Sequence, residues 1–487
     1  MQNFDFHSVI ATEKTLDPQD WSAMRNVAHD MVNDMMDYLE SVAERPVWQP
    51  IPISAKAAIN QPLPEQESDL SEIYNNFKIN ILPYTKGNIH PRFTAWVQGT
   101  GTPLAMMADM LASGMNPNTT IGEHSAMYVD KQVIDWCKDL LNFPKEASGM
   151  LVSGGSIANI TGIIVARNSY GNIREEGVQG QQKRMIMYTS SEAHSCVMKA
   201  AEVTGIGSNN VRKVKVDADY RMNVAHLETL IAEDKAAGNL PFCVVGNAGT
   251  VNTGAIDPLD EILAVCKKEN LWFHIDGAFG ALAKLVPEYQ DVMKAFEEAD
   301  SVAFDLHKWM YMPYEVGCVL FKNKEKHRAA FGGQPNYLIS HERGLAAGPD
   351  PLTNYGMELS RGFKALKVYM SLQLHGAQIF RDLIRQNIAQ SFYLGDKITQ
   401  NADLELVTPV VLNIVCFRFI KKGLSEIELN TLNKEILMQL HEQGLHAPSS
   451  TVLDGKYVIR CANVNHRLSI KDYDALVEDV VRIGKTL

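Results

Sequence analysis

The chain has 487 residues, 46% hydrophobic and 21% charged, the balance of an ordinary globular protein. Its 46 basic and 57 acidic residues leave a net charge of −11, so nucleic acid finds no general attraction here. Seven cysteines are spread without a CxxC pair, which indicates neither a disulfide framework nor a thiolate metal site.

Residues 1–7 carry neither a basic region nor an apolar run. No apolar stretch reaches the ~18 residues that cross a bilayer, so the expectation is a cytoplasmic protein without a membrane contact. Residues 15–43 read as a helix, with Thr15 and Asp17 as cap candidates. Met24, Val27, Met31, Met35 and Leu39 recur along it at three- and four-residue steps. Prolines at 46, 50, 52, 62 and 64 predict an extended connector. From about 148, strand candidates at 150–152, 185–188, 211–214, 242–245, 271–275, 302–304 and 316–321 alternate with helix-length segments, the pattern of a mostly parallel sheet covered on both faces. A long helix from about 360, strands at 413–419 and 456–460, and helices at 426–443 and 470–483 predict a small α+β domain at the end.

Such sheets carry their chemistry at the carboxyl ends of strands. After the first strand, Ser153, Gly154, Gly155 and Ser156 open a helix, where glycines let a ligand approach and free N–H groups attract a phosphate. Neither a Walker lysine nor a full GxGxxG accompanies them. The strand at 271–275 ends in Asp276, Gly277 and Ala278, an acid that needs a cation or a dense hydrogen-bond network, then small residues with room for a flat ligand. After 302–304 come Asp305, Leu306, His307, Lys308 and Trp309, where apolar neighbours desolvate the lysine and raise its nucleophilic neutral fraction. His194 and Thr250 follow two further strands. Taken singly, these have plainer readings as a capped turn, a structural acid, a snorkelling lysine and a satisfied histidine. Together, an anion cradle, a buried acid and an amine on one sheet edge suit a phosphorylated aldehyde cofactor, pyridoxal phosphate.

Over nearly its whole length the chain resembles the group II pyridoxal-phosphate-dependent amino acid decarboxylases, the family of the aromatic amino acid, tyrosine, histidine and glutamate decarboxylases. The likeness rests on His307-Lys308-Trp309 placed 32 residues after Asp276, on His90-Pro91-Arg92-Phe93, on Ala108-Asp109-Met110-Leu111, on His274-Ile275-Asp276, and on the run from Arg361 to Lys367. It implies fold type I, an α/β architecture with a mostly parallel central sheet, as a homodimer. The expected parts are an N-terminal helical arm and connector (1–85), a large cofactor-binding domain (86–380) and a small C-terminal α+β domain (381–487). The resemblance further implies that Lys308 carries pyridoxal 5'-phosphate as a Schiff base and that Asp276 pairs with the pyridine nitrogen. Ala278 and His194 would flank the ring, Gly154, Gly155, Ser156 and His307 would surround the phosphate, and Thr250 would lie near the phenolic side. The implied activity is decarboxylation of an L-amino acid to its amine and CO₂. Phe93, Trp96 and Val97 suggest an aromatic or bulky apolar side chain.

Asp305 and Leu306 stand where the family has Asn and Pro, and its loop tyrosine, which protonates the carbanion, is matched by Leu352. Glycines and prolines between 331 and 355 predict a mobile loop. Tyr355 is the nearest candidate donor there, with Tyr337 and His194 as alternatives. An aldehyde synthase or aminotransferase on the same scaffold stays open as a rival activity, and a catalytically silent dimeric scaffold as a rival of another class.

Overall fold

A computed structural model describes residues 6–11, 13–333 and 341–487. The chain divides into two units, Met1–Arg45 with Pro50–Thr85, and Pro46–Gln49 with Lys86–Leu487. In the first unit the main helix is Trp21–Glu40, shorter than the sequence pattern predicts. Its cap is Asp20, whose Oδ1 accepts from the N–H groups of Ser22 and Ala23 at 2.8 and 3.2 Å, while Thr15 caps only the N–H of Asp17. The expected extended connector contains a helix, Ile53–Ile59, because Pro52 stands at its N-cap and Ala55, Lys56, Ala57 and Ala58 within it favour helix. Tyr74 donates to Asp34 at 2.8 Å, tying Leu70–Asn80 to the main helix.

The second unit holds two sheets. Its strands in chain order are β1 (Phe93–Thr94), β2 (Ser148–Val152), β3 (Met185–Ser190), β4 (Val211–Val214), β5 (Leu240–Asn247), β6 (Trp272–Asp276), β7 (Ser301–Asp305), β8 (Gly317–Phe321), β9 (Leu404–Leu406), β10 (Ile414–Phe419), β11 (Ala447–Leu453) and β12 (Lys456–Ala462). The large sheet has the order β2-β8-β7-β6-β5-β3-β4, and only β8 runs antiparallel to its neighbours. All seven predicted strands of this sheet are present within two residues at each end. Successive side chains go to opposite faces: Val244, Phe273 and Val302 join one apolar core, and Cys243, Trp272 and Ala303 the other. Burial on both faces explains why these strands read as continuous apolar runs.

The small sheet, β1-β11-β12-β10-β9, is antiparallel except where β1 pairs with β11 in parallel, Phe93 opposite Ala447. Helices Glu426–Glu442 and Ile470–Thr486 cover it, each opened by a capping box, Ser425 with Glu428 and Ser469 with Asp472. The expected division at 380 falls inside the helical run Ala365–Thr399, whose interruption lies at Gly376, where φ is 69°. No described helix is long and apolar enough to cross a membrane.

Candidate active site

Because β8 is antiparallel to both β2 and β7, the strands β2, β3, β5, β6 and β7 all end on one edge of the large sheet. A cleft of about 540 Å³ opens there. The turn after β2 contributes Gly154, Gly155 and Ser156, and the segment after β3 contributes His194. From β6 come Asp276 and Ala278, and from the turn after β7 come His307 and Lys308. These eight expected residues therefore share one cavity.

Each is held by a nameable interaction. Asp276 is buried; its Oδ1 accepts the N–H of Ala278 at 3.1 Å and its Oδ2 faces the Cys196 thiol at 3.8 Å. His194 caps helix Ser195–Val203, its Nδ1 accepting from the N–H of Cys196 at 3.2 Å, which puts the proton of the neutral ring on Nε2. Burial lowers the His194 pKa despite the nearby Asp276 carboxylate. The ring of His307 is fixed in the same way, Nδ1 accepting from the Val316 N–H at 3.2 Å. Lys308 Nζ lies 2.9 Å from Asp305 Oδ2; burial alone would lower its pKa, but the carboxylate outweighs that and raises it.

The two glycines of the cradle serve sterics rather than a special backbone conformation, since φ at Gly154 is 167°, ordinary extended backbone. A Cβ on Gly154 would sit 3.1 Å from the His307 ring, and one on Gly155 would sit 2.8 Å from Asp305 Oδ2. Beneath the cradle, buried His274 bonds Ser301 Oγ at 2.7 Å and Asn159 Oδ1 at 2.8 Å, and Asn159 donates to the carbonyl of Gly155 at 2.8 Å. Burial depresses the His274 pKa from 6.5 to about 4. Between those values the unfolded chain binds the extra proton, so stability is lost as pH falls through that window, by up to about 3 kcal/mol. His274→Gln is expected to flatten the urea-midpoint profile below pH 6.5; a profile parallel to wild type refutes this.

Two expected residues are not in the cleft. Thr250 spends its hydroxyl on its own turn, 3.0 Å from Thr253 Oγ1 and accepting from the Ala255 N–H at 3.1 Å. Tyr355 does not line the cleft; it is buried in the core that includes Met150 and Val152 of β2, against the His327 ring, and donates to Asp350 Oδ2 at 2.7 Å. A phenol packed into a turn at Leu352–Tyr355 is anchored rather than carried on a mobile loop. Tyr355→Phe is therefore expected to cost about 1 kcal/mol of stability and leave the ratio of amine to aldehyde unchanged. A thermal melt and a product assay check this, and a rise in aldehyde overturns it. Tyr337 lies outside the described residues.

Trp96 and Val97 line the cleft, whereas Phe93 is buried in the small sheet. Sequence reasoning gave Asp305 no role and overlooked Arg460. Arg460 reaches the cleft from β12 and spends its N–H groups on the carbonyls of Trp96, Val251 and Asn252 and on Ser449 Oγ. Its only signal in the sequence is an arginine inside an apolar strand.

The residues present fit a phosphorylated pyridine aldehyde: an amine at the cleft, a buried carboxylate opposite, and a helix start whose first N–H groups lack intrahelical acceptors. The Oδ1 of Asp305, buried beside that helix start, has no hydrogen-bond partner among the described residues. Sheet order and site together define a pyridoxal-phosphate-dependent enzyme of fold type I. The family model for the pyridoxal-dependent decarboxylase conserved domain matches residues 52–420. The chain is 33% identical over 453 residues to an aromatic-L-amino-acid decarboxylase of Bacillus atrophaeus, covering 92% of this chain and 93% of that one. It is 27% identical to a phenylacetaldehyde synthase of Arabidopsis thaliana, with coverages of 92% and 93%. The solved structure of Oryza sativa TDC with PLP and tryptamine matches with a TM-score of 0.88 at 23% identity, over 97% of this chain and 99% of that one. The chain belongs to the pyridoxal-dependent decarboxylase family: it is a carboxy-lyase acting on an amino acid, with pyridoxal 5'-phosphate as its cofactor.

Proposed function

We propose that this chain decarboxylates an aromatic L-amino acid to its amine, as a cytoplasmic homodimer. The observation that carries the substrate class is the state of the cations. Among the described residues lining the cleft, Lys308 is paired with Asp305 and Arg460 spends four of its five N–H groups on carbonyl and hydroxyl oxygens, so neither stands open for a side-chain carboxylate. Trp96, Val97, Ile157, Val251 and Phe279 give the cleft an apolar wall, suited to an aromatic ring. The Bacillus atrophaeus relative, named for aromatic amino acids, supports the same reading.

The bound cofactor supplies an aldehyde to bond an amine and a cationic ring to take up the electron pair left by CO₂. The roles assigned to this chain's residues are those the family resemblance implies, and their meeting in one cleft supports them. Lys308 Nζ is the attachment point. Asp276 stabilises a positive pyridine nitrogen by charge. Gly154, Gly155 and Ser156 hold the phosphate beside His307, and Ala278 and His194 take the two ring faces. Thr250 serves as a second-rank positioning residue through its turn. His194, with its proton on Nε2, is the group proposed to return a proton to the substrate carbon, in place of Tyr355.

Residues 86–380 supply every described lining residue except Arg460, which favours reading 381–487 as a separate part and 1–85 as the arm. Met110, Leu111, Met115, Met357 and Leu359 are exposed in the single chain and offer an apolar face to a second copy. All seven cysteines are unpaired and buried, in keeping with a reducing compartment. The test is a panel of L-amino acids with amine, aldehyde and CO₂ all measured, alongside sedimentation. Amine and CO₂ in equal amounts from phenylalanine, tyrosine or tryptophan support the proposal; preference for glutamate, or aldehyde as the main product, overturns it.

A further inference from the structure

Asp305 is, among the described residues, the one acid that touches the cleft amine, and its surroundings are unusual for a carboxylate. Its side chain is 2% exposed, Oδ2 lies 2.9 Å from Lys308 Nζ, and Oδ1 has no hydrogen-bond partner among the described residues. It is pressed between the cradle and β8: a Cβ on Gly155 would lie 2.8 Å from Oδ2, and one on Gly317 would lie 2.6 Å from Oδ1. A negative charge therefore stands where the cradle is built to receive another. The other titratable groups around the pair are Asp276 from β6, His194 and Cys196 after β3, His307 on the same turn, Tyr314 from the following loop, and Cys318 on β8. His307 Nε2 stays 3.7 Å from Oδ2, beyond hydrogen-bond reach, so Lys308 is the partner that holds the charge.

We propose that Asp305 is the proton partner of Lys308 in cofactor capture: it holds Nζ as an ammonium in the unloaded chain and takes its proton when Nζ bonds the aldehyde carbon. The inference rests on the reading of Lys308 as the attachment point. Two of the three ammonium hydrogens leave with the carbonyl oxygen as water, the C=O bond is replaced by C=N, and the third hydrogen passes to the Asp305 carboxylate. Nothing is oxidised or reduced. Neutralising Asp305 removes the repulsion between two anions at Gly154 and Gly155, and the acid's new O–H gives the cradle one more donor. Attachment and phosphate seating are thereby coupled through one proton, a role an asparagine in that place could not perform.

The test follows the visible absorbance of the C=N bond as cofactor-free protein is loaded, from about pH 6 to about pH 9, with pyridoxal 5'-phosphate and with phosphate-free pyridoxal. Asp305→Asn leaves Lys308 desolvated and unpaired, so the midpoint of loading rate against pH is expected to fall by about one unit or more with both aldehydes. Loading near neutrality then becomes about tenfold faster. An unchanged midpoint in a folded variant overturns the proposal. Should the variant not fold, the wild type decides: a protonated-carboxyl stretch must appear in its infrared difference spectrum on loading, and its absence overturns the proposal equally. Borohydride trapping and peptide mapping run on the same samples. Label on Lys308 with an unchanged midpoint defeats only the role of Asp305, whereas label on another lysine defeats the attachment reading itself.

Discussion

Lys308→Met protein is expected to lose decarboxylation by at least about a thousandfold and to become less stable by several kcal/mol. The first effect follows from chemistry: among the described residues lining the cleft, Lys308 carries the only primary amine. The second follows from burial. Asp305 is 2% exposed, and removal of its partner leaves a charge in the interior, a loss on the order of 3–5 kcal/mol when the pair is well buried. Since Lys308 keeps 22% of its side-chain exposure, the low end of that range applies. The two effects separate in a double variant. Lys308→Met with Asp305→Asn removes both charges, and its denaturation midpoint should return toward wild type while turnover stays lost. If the double variant is as unstable as the single one, the ion pair is not what holds the turn.

Asp276→Asn should keep the cofactor and lose most of the activity, by about two to three orders of magnitude, because an amide cannot hold a pyridine nitrogen protonated. Retention is expected from the geometry. The amide oxygen can still accept the Ala278 N–H, the cradle is untouched, and Lys308 is on a different strand end. Steady-state kinetics with the absorption spectrum checks the pair of outcomes. Activity within about threefold of wild type removes the assigned role, and loss of the cofactor shows that Asp276 serves binding instead.

Much of this architecture was legible because parallel strands buried on both faces cannot hide. The run at β5 is apolar up to Asn247, β6 is broken only by His274, and the polar residues at their ends, Asn247 and Asp276, stand out at once. The small sheet was less legible for the converse reason. β11 begins Ala-Pro-Ser-Ser, with no alternation to read, and β1 is two residues whose partner lies at position 447. Side-chain direction was the other limit. Counting along the chain put Tyr355 beside the active site, but a hydrogen bond to Asp350 and the His327 ring turn it into the core. Asp305 was visible only as a departure from a family pattern, and its meaning depends on two distances that no linear reading supplies.

The guanidinium of Arg460 has a practical consequence. It belongs to the small sheet, yet it holds the carbonyls of Trp96 and Val251, which line the cleft, and that of the adjoining Asn252. Grafting a relative's C-terminal segment onto this chain would exchange the clamp without the loops shaped to it. Substrate preference in such chimeras should then drift even where every residue inside the cleft is kept, and restoring the two loops, at Trp96 and at Val251–Asn252, as a matched set should bring it back.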